Sequence, residues 1–81
     1  MTPQEIVLIL TNHEKWACHQ QGGKRANLSL EKLYGMALSG AKLARIKLTG
    51  ADLTRSDLRG ADLSDADLFS ANFSECDLRK A

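Results

Sequence analysis

The sequence predicts a repeat solenoid closed at its start by a helix, on three observations. Residues 26 to 80 are one five-residue unit written eleven times without a gap. Each unit has a large apolar residue at its centre, and most have a small residue two positions before it. Residues 3 to about 20 instead space their apolar side chains as an amphipathic helix does. A period of five matches neither the 3.6 of a helix nor the 2 of a flat strand, so the repeat sets the architecture. Two segments follow: residues 1–25 as a capping helix with its linker, and residues 26–81 as the repeat domain.

In chain order the helix comes first. Thr2-Pro3-Gln4-Glu5 is a capping box with Pro at the first helical position, which supplies a fixed φ and a reciprocal side-chain cap. Ile6, Ile9, Leu10, His13 and Ala17 share one face, widened by Val7, Leu8 and Trp16. Gly22 and Gly23 are expected to stop the helix.

The repeat follows from Ala26. Its best copies run Ala51-Asp52-Leu53-Thr54-Arg55, Ala61-Asp62-Leu63-Ser64-Asp65 and Ala66-Asp67-Leu68-Phe69-Ser70. The central column is Leu28, Leu33, Leu38, Leu43, Leu48, Leu53, Leu58, Leu63, Leu68, Phe73 and Leu78, expected to point inward with the small residue. Glu31, Met36 and Ile46 replace the small residue, so the first part of the repeat is expected to be irregular. Gly35, Gly40, Gly50 and Gly60 all fall in the last phase, where a corner sometimes requires positive φ.

These units resemble the pentapeptide-repeat family, whose consensus is A-(D/N)-L-x-x, over residues 26 to 80. The resemblance implies an all-β solenoid: a right-handed β-helix of square cross-section with one pentad per face and four per coil. Eleven pentads give just under three coils, and at a strand spacing of ~4.8 Å the solenoid rises about 13 Å. A coil of that length stacks residue i over i+20. Lys32 then lies over Asp52, Lys42 over Asp62, Lys47 over Asp67, Arg45 over Asp65 and Arg55 over Glu75, against Asp57 over Asp77 and Arg59 over Arg79 as like pairs.

The ends of such a stack need covering, because a first coil exposes apolar side chains and unpaired strand groups. Ile6, Ile9, Leu10 and Trp16 are expected to lie as a lid across Leu28, Leu33, Leu38 and Leu43. The far end has no lid. Leu63, Leu68, Phe73 and Leu78 are therefore the expected self-association end, giving a two-fold homodimer in which Arg79 and Lys80 reach acidic residues such as Asp62, Asp65 or Asp77. The competing occupant is an unidentified protein partner.

Net charge is +1, so no bulk field points to nucleic acid or an anionic membrane. Charge is unevenly spread: residues 24–47 carry six Lys or Arg against one Glu, and residues 51–77 seven acids against two Arg. No secretory signal is visible and no apolar run nears the ~20 residues of a membrane span, and the two cysteines make no disulfide framework, so a reducing cytoplasm is expected.

Candidate chemistry is thin. His13, Cys18, His19 and Cys76 have no zinc-site spacing, and Cys18 and His19 point in different directions on a helix, so neither a metal nor a cofactor is expected. No phosphate loop, HExxH or nucleophile elbow is present, and no catalytic residues are assigned. The expected function is a non-enzymatic structural or protein-interaction module without direct nucleic-acid or membrane contact. The resemblance implies an alternative: its fluoroquinolone-resistance members mimic DNA in size and charge and bind DNA gyrase. Those are long and acidic, whereas this chain is short and near neutral.

Overall fold

The computed structural model describes residues 2–81. Helix α1 spans Pro3–Ala17. Its N-terminus carries the capping box: the Thr2 side chain accepts from the Glu5 N–H, and Glu5 accepts from the Thr2 N–H. The other end corrects the sequence reading, because the helix stops before Cys18 rather than near residue 20 and neither glycine stops it. His19 takes the left-handed conformation at φ 58°. Its N–H bonds the Trp16 carbonyl while the Gln20 N–H bonds that of Lys15, the paired bonds of a Schellman motif. Gly22 and Gly23 serve the reversal that follows. A Cβ on Gly23 would lie 2.3 Å from the Trp16 nitrogen, so only glycine lets the chain pass back so close to α1.

From Asn27 onward the chain runs alongside itself every twenty residues. Parallel bridges join Asn27 to Lys47, Lys32 to Asp52, Ala37 to Asp57 and Lys42 to Asp62, and continue from Lys47 to Asp67, Asp52 to Asn72 and Asp57 to Asp77. We call each twenty-residue passage a lap. The expected all-β character is corrected here: among the described residues the bridges are isolated and no continuous strand forms. The cause lies within the pentad. Two of its five residues make a corner, and the bridged residue is flanked on each side by an inward one, so pairing never runs along an extended segment.

All the corners but the one between Leu33 and Met36 share one backbone bond. The N–H two residues before one central residue donates to the carbonyl of the preceding central residue, as from Ala51 to Leu48 (3.0 Å) and Ala61 to Leu58 (3.1 Å). The last residue of all eleven pentads has positive φ, between 54° and 70°, which marks type II geometry. Seven of these residues, including Leu30, Arg45 and Glu75, are not glycine, so positive φ is a requirement of every corner rather than of some.

The consensus Asp or Asn has a local task. At positions 27, 52, 57, 62, 67, 72 and 77 its Oδ1 accepts the N–H two residues on, at 2.9 to 3.3 Å, satisfying the corner donor that neither lap neighbour reaches. Most of the expected inter-lap ion pairs do not form for this reason. Only Arg55–Glu75, at 2.6 Å, spans the i, i+20 register as an opposite-charge contact from the expected set. Lys32, Lys42 and Lys47 are bridged by backbone to their aspartates without an ion pair. The like pairs resolve by neutralising within a lap: Arg59 clamps Asp57 and Arg79 clamps Asp77 through two nitrogens each.

The interior is a column of leucines. Leu28, Leu33, Leu38, Leu43, Leu48, Leu53 and Leu58 are buried with Ala26, Ile46, Ala51 and Ala61. Leu63, Leu68 and Phe73 are half-buried against them, and Leu78 is 44% exposed, so the column loses its cover toward the C-terminus. Of the three residues that break the small-residue rule, Ile46 is buried and Met36 and Glu31 are half-buried. The irregularity sits at one corner. The Leu33 carbonyl and Met36 N–H lack the direct corner bond, and the Ser56 hydroxyl stands between them, donating to Leu33 at 3.0 Å and accepting from Met36 at 3.1 Å. One lap later, in the same column, the Cys76 thiol donates to the Leu53 carbonyl.

Candidate interaction surface

The two ends of the repeat are the places where its bonding pattern is interrupted. Within a pentad, the N–H groups of the central and last residues and the C=O of the first residue pair with the following lap, as in Leu28 to Lys47, Leu30 to Thr49 and Lys47 to Ala26. The second residue directs its N–H and C=O, and the fourth its C=O, to the preceding lap.

At the C-terminal end the forward-facing groups find no partner among the described residues. The rim over Ala61–Lys80 therefore presents eight N–H and four C=O groups. It encircles an apolar depression lined by Leu63, Leu68, Phe73, Leu78 and Ala81, the residues expected to form the self-association end together with that last alanine. Asp62, Asp67 and Asp77 stand on its outer edge at bridge positions. Asp77 is held down to about 2, mainly by the side-chain bonds of Arg79 and then by the Arg79 N–H, so it is charged at neutral pH.

At the N-terminal end α1 lies over the first lap. Ile6 joins the buried core, and Ile9 and Leu10 pack against it. Trp16 does not lie on the leucine column as expected; its ring stands 5.4 Å from that of His13, and the Arg45 guanidinium sits 5.3 Å from its centroid. Val7 and Leu8 are also displaced from the expected apolar face and are 59% and 61% exposed, because a run of five apolar residues cannot all face one side of a helix.

The residue that fastens α1 is His13, read from the sequence as part of the apolar face and weighed there as a metal ligand. It has no exposed surface. Its Nδ1 accepts the Ala26 N–H at 2.9 Å, which leaves Nε2 to donate to the Ala44 carbonyl, also at 2.9 Å. The imidazole thus joins the first pentad to the fourth. Burial pushes it below its ordinary pKa, a pull opposed by the Ala44 carbonyl and assisted by the Arg25 charge. Arg25 adds a second tie, donating from Nε to the Arg45 carbonyl at 2.6 Å. The sequence signal for His13 was a lone polar residue at helical spacing on an apolar stripe, which locates a buried face without naming its partners.

The other residues weighed for chemistry are dispersed. Cys18 and His19 are exposed at the end of α1, Cys76 points into the column, and both cysteines are free thiols. Among the described residues no group of three or more His, Cys, Asp or Glu side chains is placed to hold a metal ion, and no helix is long and apolar enough to cross a membrane.

Residues 46–81 match the family model for pentapeptide repeats in eight copies. No curated protein and no solved structure matches the chain. The matched stretch is the part in which the small inward residue, the Asx-bonded corner and the central Leu or Phe recur most regularly, and over residues 46–81 the chain is similar to the pentapeptide-repeat family.

Proposed function

We propose that residues 26–81 form a right-handed, four-sided β-helix of just under three coils, capped by residues 1–25. It serves as a non-enzymatic structural and protein-interaction module of the reducing cytoplasm and associates with a second copy through its C-terminal end. The twenty-residue spacing of the parallel bridges, four pentads each, supports the coil. The observation that carries the function is the uncovered end: Leu63, Leu68, Phe73 and Leu78 lie exposed or half-buried inside a rim of unpaired backbone donors. Burying such a patch is favourable at ~25 cal/mol per Å² of apolar surface, and an edge of unpaired backbone groups invites pairing.

In a two-fold joint the same patch serves both copies. Arg79 and Lys80 then lie near Asp62, Asp65 and Asp77 across the seam. On the outward faces the Asp52, Asp57, Asp62 and Asp77 carboxylates are occupied by their own corners. Solution molar mass over a concentration series tests this reading, for the wild type and for Phe73→Lys. The expected result is a wild-type dimer that the substitution reduces to monomer. A wild type that stays monomeric throughout would contradict it.

A further inference from the structure

The two rims carry opposite surpluses. The C-terminal rim presents eight N–H and four C=O groups, and the rim of the first lap, over Asn27–Ala44, carries four N–H and eight C=O. Helix α1 covers the apolar end of that first lap, yet it bonds only one of the twelve groups, the Ala44 carbonyl, through His13. Charge follows the same division. Lys32 and Lys42 occupy bridge positions of the first lap, and Asp62, Asp67 and Asp77 those of the last.

We propose that the first-lap rim is a docking site for the C-terminal end of a second copy, that α1 occupies it as a removable stop, and that His13 is the latch. Copies whose α1 is displaced join head to tail. This rests on the reading that the C-terminal end self-associates, and it adds a second mode for that end. Head to tail, eight donors meet eight acceptors and four acceptors meet four donors, as they do between laps inside the chain. The leucine column continues through the joint, and lysine meets aspartate as at the Lys32–Asp52 and Lys42–Asp62 bridges. A two-fold joint sets like rims together, so its surplus N–H groups fall to water and carboxylates. It also closes on itself, whereas the head-to-tail joint leaves a fresh end after every addition.

The test uses the full chain as wild type, His13→Ala, and His13→Ala with Phe73→Lys. Fluorescence of Trp16, the only tryptophan, reports whether α1 is seated, and light scattering reports mass. The expected result is a shifted Trp16 emission in His13→Ala with a mass that climbs past the dimer as concentration rises. The double variant should not grow. Ile9→Asp, which loosens α1 without touching a rim group, should grow as His13→Ala does and keeps the test valid if that variant unfolds. A displaced α1 with no growth past the dimer would overturn the proposal. So would growth that survives Phe73→Lys, which is unspecific aggregation, or an unshifted Trp16 in His13→Ala. A monomeric wild type would sink the two-fold reading alone.

Discussion

Under α1, Leu28, Leu33 and Leu43 keep at most 3% of their surface exposed, whereas at the other end Leu78 keeps 44% and Leu63, Leu68 and Phe73 are half-buried. The covered end holds Glu31 and Met36, which depart from the consensus, whereas the family match runs from Ile46 through the buried Leu48, Leu53 and Leu58 to the exposed end at residue 81. Fit to the repeat therefore does not measure burial. A pentad specifies its corner and its inward residues, but only a neighbour on both sides buries it, and the last lap has a neighbour on one side.

The sharpest way to break this comparison is to cut matched leucines. Leu53→Ala removes a side chain 1% exposed between two laps and should cost about 2 to 5 kcal/mol in urea unfolding. Leu78→Ala should cost about 1 kcal/mol or less in dilute solution. Equal losses would mean the last lap is as well buried as the middle. His13→Ala comes next, at about 2 to 4 kcal/mol, because it leaves the Ala26 N–H and the Ala44 carbonyl without their partner in a covered site.

Acid separates the ends further. The folded His13 resists protonation, so its contribution is complete above the ordinary imidazole value of about 6.5 and declines as pH falls below it. The aspartates behave otherwise. Asp52, Asp57, Asp62 and Asp77 are all lowered by bonds within their own corners, so their contribution persists down to the ordinary carboxylate value of about 3.9 and is lost below it, for Asp77 toward about 2. Stability measured against pH should show a first decline below about 6.5 that His13→Ala removes and a second below about 4 that it leaves in place. A single acid transition unaffected by the variant would contradict the latch geometry.

Smaller effects refine the picture. His19→Gly should stabilise by about 0.5 to 1 kcal/mol, since it relieves a left-handed residue at the end of α1. Arg55→Ala should cost only about 0.2 to 1 kcal/mol in a thermal melt, because the pair with Glu75 stands in solvent with 75% and 64% of the two side chains exposed.

Much of the fold was legible because repetition at constant phase reports register directly. Of the pairs the sequence placed over one another twenty residues apart, Lys32 and Asp52, Lys42 and Asp62, Lys47 and Asp67, and Asp57 and Asp77 are joined by backbone bridges. The ion pairs inferred from that register were not legible. Asp62 and Asp67 have a corner N–H two residues away, and that local bond costs less side-chain entropy than reaching a flexible lysine in water. The end of α1 misled for a related reason: two glycines after a helix suggest its cap, but His19 accepts the left-handed conformation and Gly23 is needed for its missing Cβ. His13 was visible as a residue and invisible as a latch, since its partners are backbone groups 13 and 31 residues away. Ser56 was visible as a small inward residue, not as the hydroxyl that completes the Leu33–Met36 corner.

Amide hydrogen exchange followed residue by residue at two protein concentrations tests the central contrast most directly. The N–H groups of Leu28, Leu33 and Leu38 bond to Lys47, Asp52 and Asp57 within one chain, so they should exchange slowly and at the same rate at both concentrations. Those of Leu68, Phe73 and Leu78 should exchange quickly when dilute and slow markedly when concentrated, as the C-terminal end becomes covered. Identical rates for Phe73 and Leu78 at both concentrations would contradict an end that binds a second copy.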